Sequence, residues 1–299
     1  MPISDADLEL LIFIRRFEET LLQLFSEGKL SGTTHTCIGQ EYIPVALAPL
    51  TQGDFIFSNH RGHGHYLAHC RDPEGLLAEI MGKENAVAQG VGGSQHLRRD
   101  AFLSTGVQGE TMAIAVGVAL HFRKTGQRRL ALVYVGDGTW GEGSVYEALN
   151  MAKTWRLPLL VVVENNGIAQ STPTEMQLSG SIEGRAAAFD LDYHLISNND
   201  IDEIRRTLAA QLEKVRSDYT PAVVEFRTVR LGPHSKGDDS RPSADVSALR
   251  AQDWLTHHAS SDPDQFRAAD ERQRSRINEI VSLVSTLPPS NWEPTDAGQ

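Results

Sequence analysis

Residues 130–143 read LALVYVGDGTWGEG, an apolar run of strand length that ends in a glycine-rich turn. A helical segment over about 142–154 follows, and a second apolar run, LLVVV at 159–163, leads into ENNG. Short runs that are apolar at every position are typical of strands buried on both faces. The order strand, turn, helix and strand therefore predicts a βαβ unit with two parallel strands.

Strands and helices alternate along the rest of the chain. A third strand is predicted at 222–229, and Ser4 and Asp7 are placed as a capping box before the first helix. The expected fold is α/β, a doubly wound, mostly parallel sheet with N-terminal and C-terminal helical extensions. Helical periodicity predicts helices over 7–25, 40–49, 73–81, 112–122 and 201–216.

One main domain is expected from this pattern. An N-terminal helical segment covers residues 1–27, and the α/β domain covers 28–255. Residues 256–299 form a C-terminal helix followed by a polar tail.

The composition argues against two classes of partner. The chain has 28 Lys and Arg against 39 Asp and Glu, a net charge of −11, whereas sequence-independent nucleic-acid binding needs a basic surface. No apolar run approaches the roughly 18 residues of a membrane span. The start, MPISDADLEL, is acidic where a signal peptide is basic, and Cys37 and Cys70 provide no disulfide framework. We therefore expect a cytoplasmic enzyme without nucleic-acid or membrane partners.

The glycine turn is open to two interpretations. Gly136, Gly138 and Gly141 match the GxGxxG pattern of dinucleotide-binding folds, and Glu164 ends the next strand, where such folds place a ribose-binding acid. Asp137 conflicts with that interpretation because its carboxylate would lie beside an anionic diphosphate. A divalent cation removes the conflict, since a carboxylate can bind Mg²⁺ that in turn binds the diphosphate.

Further oxygen ligands for Mg²⁺ follow in the sequence. Asn165 and Asn166 end the next predicted strand, and Asn166 follows Asp137 by 29 residues, the length of one helical crossover. Adjacent parallel strands end at the same edge of a sheet, so the two side chains can share one ion. A backbone carbonyl near Ile168 is a third candidate ligand.

A glycine-rich loop around Arg61 contains several histidines. His60, His63, His65 and His69 offer a possible zinc site, but the Cys/His pairing of structural zinc sites does not accompany them. Arg61 is a fixed cation suited to binding an oxyanion. We therefore do not expect this loop to bind zinc.

The chain resembles a known family over about residues 10–255. GDG followed after a crossover by NN is similar to the thiamine diphosphate signature of the transketolase-like superfamily. More narrowly, the chain resembles the alpha subunit of the thiamine diphosphate-dependent 2-oxoacid dehydrogenases, the pyruvate, branched-chain and acetoin group. Five blocks in family order carry the resemblance: GTTHTCIGQE (32–41), FSNHRGHGH (57–65), GVGGSQH (90–96), VGDGTWGEGSVYEALNMAKTWRLPLLVVVENNGIAQSTP (135–173) and RLGPHSKGDDS (230–240).

The resemblance implies that residues 28–255 bind thiamine diphosphate and that Asp137, Asn166 and the carbonyl of Ile168 hold Mg²⁺. Family members usually have Tyr at the Ile168 position, but a carbonyl ligand is unaffected by that departure. Arg61 matches the arginine that clamps the diphosphate. The other implied cofactor contacts are Gly136, Gly138 and Thr139 near the diphosphate, and Gly106 and Gln108 near the aminopyrimidine ring.

The resemblance also implies three catalytic histidines: His234, His60 and His35. His234 lies in a polar loop that is expected to be exposed, and it matches the histidine that stabilises the substrate carboxylate or its adduct. Ser235 matches a position phosphorylated in mitochondrial relatives and is a candidate regulatory phosphosite. Thr33, His60 and Gln108 replace residues that are often aromatic or aliphatic in branched-chain relatives. This polar pocket favours pyruvate or a hydroxylated 2-oxoacid over a branched one.

The implied reaction is decarboxylation of a 2-oxoacid and transfer of the acyl group to lipoamide on a separate acyltransferase. A thiamine-dependent transketolase-like or biosynthetic transferase uses the same cofactor residues and is the alternative, and an NAD-binding oxidoreductase is a third. The matched blocks do not include the glutamate that activates the thiamine ring in this superfamily. The 133 residues after Asn166 are too few for a second α/β domain that could supply it. The resemblance therefore implies a beta subunit and an α2β2 heterotetramer.

Overall fold

A computed structural model describes residues 3–30, 32–235 and 239–291. It contains a seven-stranded sheet and a separate two-stranded hairpin. In chain order the strands are β1 Phe55–Ser58, β2 Arg98–Arg99, β3 Phe102–Ser104, β4 Ala131–Gly136, β5 Leu159–Asn165, β6 Ile168–Ala169, β7 Thr172–Pro173, β8 Asp192–Ile196 and β9 Ala222–Arg227.

The strand order of the sheet is β2-β3-β1-β4-β5-β9-β8. Strands β2 and β3 are antiparallel, and the other neighbouring pairs are parallel. The prediction of an α/β fold with a doubly wound, mostly parallel sheet is confirmed. In the central pair, Gly136 of β4 lies opposite Glu164 of β5, so these strands end at the same edge.

The helices pack on both faces of the sheet. Across the described residues, none of them combines the length and the apolar character needed to cross a bilayer. The helices are α1 Asp5–Ser26, α2 Tyr42–Leu47, α3 His63–Cys70, α4 Pro73–Met81, α5 Glu110–Lys124, α6 Gly143–Thr154, α7 Ile182–Ala188, α8 Ile201–Asp218, α9 Ser243–Leu249, α10 Trp254–Ser261 and α11 Pro263–Thr286.

Alternate residues of the central strands enter two separate cores. Leu132 and Tyr134 of β4 lie in the larger core with residues of α1, α2, α4, α8 and α11. Val133 and Val135 of the same strand lie in the smaller core with residues of α5, α6 and α7. Successive side chains of a strand point to opposite faces, so a strand that is covered on both sides must be apolar throughout.

The longer predicted elements match the structure closely, whereas the six shorter strands, β1, β2, β3, β6, β7 and β8, escaped sequence analysis. Ser4 Oγ accepts a hydrogen bond from the Asp7 amide at 3.2 Å, as the predicted cap requires. Strands β1 and β3 have four and three residues, too few to show a repeating pattern. Strand β8 reads DYHLI and mixes polar with apolar residues. The predicted domain boundaries at residues 27 and 255 stay predictions.

A buried ionic cluster joins α1 to the segment before α2 and to the start of α10. Arg15 donates to Asp253 Oδ1 and Oδ2 at 2.9 Å each, and to Glu41 Oε2 at 3.2 Å. The same Glu41 oxygen accepts from Trp254 Nε1 at 2.8 Å and from the Gly39 amide at 2.9 Å. All three charged side chains are almost fully buried, so each depends on the others for its solvation.

Replacing Arg15 should destabilise the fold strongly. Arg15→Met leaves Glu41 and Asp253 buried without their cation, and we expect a loss of about 3–5 kcal/mol in the free energy of unfolding. Urea denaturation followed by circular dichroism measures this. The control is Arg267→Met, which breaks an exposed pair with Asp264 and should change stability by less than about 1 kcal/mol. Equal small effects for both variants would contradict the structural role of the cluster.

Candidate active site

The loops that follow five parallel strands meet around one cavity of about 420 Å³. Open α/β sheets bind ligands at this carboxyl edge, where the strand order reverses direction. Here the reversal lies between β1 and β4, because the chain runs from β1 to β3 on one side and continues from β4 to β5 on the other. Lining residues come from the loops after β1 (Asn59, His60, Arg61), β3 (Gly106, Gln108), β4 (Asp137, Gly138, Thr139), β5 (Asn166) and β9 (Arg230, His234).

Asp137 lies directly after β4 with its side chain buried. Its carboxylate accepts a hydrogen bond from the Thr174 hydroxyl. Burial raises the pKa of Asp137 above that of an exposed aspartate, although the Thr174 hydroxyl, nearby backbone amides and the charge of Arg230 act in the opposite direction. A bound cation would offset the cost of burying this carboxylate.

Asn166 follows β5 and lines the same cavity as Asp137. Its Nδ2 donates to Gln40 Oε1 at 3.0 Å, and its Oδ1 accepts from the Ile168 amide at 3.2 Å. These two bonds determine which end of the amide is the oxygen. Ile168 begins the β6–β7 hairpin and also lines the cavity, so the three predicted metal ligands share one site.

Of the three glycines in the turn, Gly138 is the one that lies close against another segment of the chain. A Cβ on Gly138 would lie 2.5 Å from the Ala169 Cβ of the hairpin, whereas Gly136 and Gly141 have open space. The turn forms a 3₁₀ segment, Asp137–Gly141, before α6 begins at Gly143. A dinucleotide fold would instead enter its helix directly.

Glu164, the expected ribose ligand of the dinucleotide interpretation, lines the cavity but has a structural partner. The Glu164 carboxylate lies 3.1 Å from His65 Nε2, and both side chains are buried. The hydrogen bond to His65 gives Glu164 a structural partner.

Two buried arginines lie around the cavity. Arg61 donates from Nη2 to the His234 carbonyl at 3.3 Å and from Nη1 to the Thr36 carbonyl at 2.5 Å. Burial lowers the pKa of Arg61, but arginine remains protonated at neutral pH. Arg230 follows β9 and donates to the Gln170 carbonyl at 3.1 Å. Arg230 was missed by sequence analysis, although an arginine just after an apolar strand was a usable signal.

The three predicted catalytic histidines form one cluster. The ring centroids are 4.8 Å apart for His35 and His60, 4.8 Å for His35 and His234, and 5.5 Å for His60 and His234. Burial, together with the charge of Arg61, holds the pKa of His60 well below its usual value. His60 is therefore neutral at pH 7.

The alternative zinc site made of His60, His63, His65 and His69 is wrong. His63 bonds Glu18 at 3.0 Å and the Ser94 hydroxyl at 2.8 Å. His65 bonds Ser58 Oγ at 2.7 Å, and His69 bonds the Tyr134 hydroxyl at 3.0 Å. Each ring is held by a different partner, so the four do not converge.

The loop that carries His234 is not the exposed loop that its polar sequence predicted. His234 is half-buried at the cavity, and Ser235 is buried. Arg241 holds the loop down by donating to the carbonyl of Arg230 at 2.6 Å and to that of Gly232 at 2.7 Å. Polar composition does not reveal such bonds to carbonyl groups. Residues 236–238 of the same block lie outside the described residues.

Of the residues predicted to make the substrate pocket polar, two lie at the cavity. Gln108 lies between His60 Nδ1, at 2.8 Å, and the Thr139 hydroxyl, also at 2.8 Å. Thr33 is exposed and is not among the lining residues. The prediction that Thr33 lines the pocket is therefore wrong. In this segment His35, two residues further on, lines the cavity instead.

Comparison with known proteins identifies the class. The dehydrogenase E1 component family matches residues 9–260, and the chain belongs to this family. The chain is 35% identical to the alpha subunit of acetoin:2,6-dichlorophenolindophenol oxidoreductase from Bacillus subtilis, over 75% of this chain and 69% of that protein. It is 33% identical to the pyruvate dehydrogenase E1 component subunit alpha of Zymomonas mobilis, over 77% and 67%. The corresponding subunit of Rhizobium meliloti is 30% identical over 96% and 77%.

This membership confirms the predicted class, the alpha subunit of a thiamine diphosphate-dependent 2-oxoacid dehydrogenase. The family implies thiamine diphosphate as the cofactor. The family assignment therefore overturns the interpretation of the glycine turn as an NAD-binding motif.

The contact between the turn and the hairpin gives a prediction about stability. Gly138→Ala should lower the free energy of unfolding by about 1–3 kcal/mol, because the new Cβ overlaps Ala169. Gly136→Ala is the matched control, since its Cβ meets no atom within 4 Å. The double variant Gly138→Ala, Ala169→Gly should recover part of the loss in thermal unfolding. A Gly138→Ala protein as stable as the Gly136→Ala control would contradict the contact.

Proposed function

We propose that this chain is the alpha subunit of a cytoplasmic, Mg²⁺-dependent 2-oxoacid dehydrogenase that works as an α2β2 heterotetramer and passes its acyl product to a lipoyl acyltransferase. One observation carries the proposal. A buried carboxylate and an oriented amide oxygen share a single cavity with two buried arginines and three clustered histidines. An anionic cofactor bound together with a divalent cation fits this arrangement, because the cation would pair with the carboxylate and the anion with the arginines.

The metal would be held by the Asp137 carboxylate, Asn166 Oδ1 and the Ile168 carbonyl. All three are oxygen ligands, which Mg²⁺ prefers, and Mg²⁺ usually completes its shell with phosphate oxygens and water. Gln40 supports this set because its bond to Asn166 Nδ2 leaves the amide oxygen as the ligand end. The Thr174 hydroxyl orients Asp137 in the same way. Such supporting bonds tune the affinity of a metal site.

The diphosphate would be bound by the amides of Gly138 and Thr139 and by Arg61, and Gly136 lines the same cavity. We add Arg230 to the predicted set because it is buried at the same cavity. Gly106 and Gln108 line the cavity from the loop after β3. The family resemblance implies that the aminopyrimidine ring lies beside them. When bound, thiamine diphosphate supplies a carbon nucleophile for the 2-keto group and a ring that accepts the electron pair left by CO₂.

His35, His60 and His234 would bind the substrate and stabilise charge on its oxygens. His60 suits this role because it is neutral and can donate a hydrogen bond without bringing a further charge into the site. Arg61 fixes the backbone of His234 through its carbonyl, so the diphosphate and substrate regions are linked. Ser235 stays a predicted phosphosite. Its burial means that a kinase would need the loop to open.

Several exposed apolar residues support the proposed beta subunit. Val107 is 58% exposed and lies between the cavity residues Gly106 and Gln108. Ile114 on α5, and Met151 and Trp155 on and just after α6, are 36–40% exposed. Helices α5 and α6 pack against each other, and exposed apolar residues on adjacent helices are typical of a subunit interface. The similar proteins from Bacillus and Zymomonas are themselves named as alpha subunits.

The metal assignment predicts unequal effects for two substitutions. Asp137→Ala removes the anionic ligand and should abolish Mg²⁺-dependent binding of thiamine diphosphate. Asn166→Ala removes a neutral ligand and should weaken binding by about tenfold to a hundredfold. Isothermal titration calorimetry measures both in the assembled enzyme. Asp190→Ala, at an exposed surface acid, is the control. Wild-type affinity in both site variants would show that the metal lies elsewhere.

The proposed activity is tested by assaying the chain alone and with its beta subunit. We expect decarboxylation of 2-oxoacids, followed with an artificial electron acceptor, only when both subunits are present. Pyruvate should be preferred to 3-methyl-2-oxobutanoate, because burying an isopropyl group against His60 and Gln108 costs about 1–3 kcal/mol per unpaired polar group. Robust turnover by the chain alone, or a preference for the branched acid, would contradict the proposal. Transfer to a sugar acceptor without oxidation would favour the transketolase-like alternative.

A further inference from the structure

The side-chain amide of Gln108 lies at the centre of a short hydrogen-bond chain. Gln108 Nε2 is 3.2 Å from the Gly106 carbonyl oxygen and 2.8 Å from His60 Nδ1. On its other side, Gln108 Oε1 accepts from the Thr139 hydroxyl at 2.8 Å. One amide thus connects the loop after β3, the turn after β4 and the histidine that follows β1.

The Gly106 carbonyl determines the orientation of this amide. A carbonyl oxygen can only accept, so the Gln108 atom facing it must be the nitrogen. The reversed amide would set two oxygens against each other and lose the bond. With the nitrogen on this side, Oε1 faces Thr139, whose hydroxyl rotates to donate. Both N–H groups of the amide are then used, one on Gly106 and one on His60.

This orientation fixes the protonation of His60. Because Gln108 donates to Nδ1, that nitrogen carries no proton. A neutral imidazole with an unprotonated Nδ1 carries its proton on Nε2. A doubly protonated ring would face an N–H with an N–H, so the bond also disfavours the cation. Burial and the charge of Arg61, which lower the pKa of His60, act in the same direction.

We propose that Gln108 is a positioning residue that holds His60 as the neutral tautomer protonated on Nε2, and that this N–H donates to an oxygen of the bound 2-oxoacid. The tautomer follows from the hydrogen bonds alone, whereas the identity of the acceptor rests on the proposed function. In this state His60 cannot accept a proton at Nε2. It acts as an uncharged donor to oxygen.

The same tautomer disfavours binding of a transition metal by the histidine cluster. Nitrogens of His35, His60 and His234 lie within 4.8 Å of one another, the one such group found among the described residues. A metal at His60 Nε2 would require the proton to move to Nδ1. That proton would then face the Gln108 N–H. Gln108 therefore keeps this cluster available for substrate.

Nitrogen-15 NMR of the full chain, labelled at histidine and assembled with its beta subunit, tests the tautomer directly. We expect His60, assigned by its loss in His60→Gln, to show an unprotonated Nδ1 and a protonated Nε2. Gln108→Glu keeps the side-chain length but offers only acceptor oxygens, so the proton should move to Nδ1. Gln52→Glu, at an exposed position before β1, is the control and should leave the His60 signals unchanged.

Kinetics of the same variants test the donor role. At saturating thiamine diphosphate, Gln108→Glu should lower kcat/KM for pyruvate by about tenfold or more, the effect of losing one good hydrogen bond. Gln108→Met, which neither donates nor reverses the tautomer, should fall between wild type and Gln108→Glu. Thermal unfolding of each variant verifies that it is folded.

The possible failures are distinguishable. A protonated Nδ1 in the wild type, or His60 signals that are the same in Gln108→Glu, would overturn the tautomer. The predicted NMR shift without a change in kcat/KM would overturn the donor role. No turnover of any 2-oxoacid by the wild-type complex would contradict the proposed function and the acceptor, while the NMR result would still decide the tautomer.

Discussion

The parallel pairing of β4 with β5 is the constraint on which the site depends. Parallel neighbours must end at the same edge, and this register brings the residues after Gly136 and Glu164 together. Asp137 and Asn166 therefore line one cavity although a helix separates them in the chain. The register is itself enforced by burial. A shift by one residue would exchange the side chains of the two cores and place large apolar groups in the wrong one.

Burial at this edge makes the surrounding polar groups depend on one another. Four charged or amide groups at this edge have named partners: Thr174 for Asp137, Gln40 for Asn166, His65 for Glu164 and backbone carbonyls for Arg61. Groups in this position are costly when unpaired, so their geometry is narrowly defined before any ligand binds. Such preorganisation suits a site that must bind an anionic cofactor, because fixed groups need not be reoriented when it arrives.

The sequence revealed the centre of this site and less of its surroundings. Asp137 and Asn166 could be paired in advance because apolar runs and crossover length predict adjacent parallel strands. Gln40, Thr174 and Arg230 could not be paired in the same way, since their contacts depend on the paths of irregular loops. The prediction that the His234 loop is exposed was wrong for a related reason. Arg241 and Arg61 bind its carbonyl groups, and backbone acceptors leave no trace in residue composition.

The link between Arg15 and Asp253 has a consequence for how the protein is made. The two residues are 238 positions apart, and the ribosome synthesises α1 long before Asp253 emerges. Until then Arg15 can reach only Glu41, one of its two carboxylates, and the segment beside Gln40 lacks its final support. The nascent chain therefore carries a strong cation and an apolar helix face through most of its synthesis. Chaperones that hold exposed apolar segments would have their longest opportunity to act on this part of the chain.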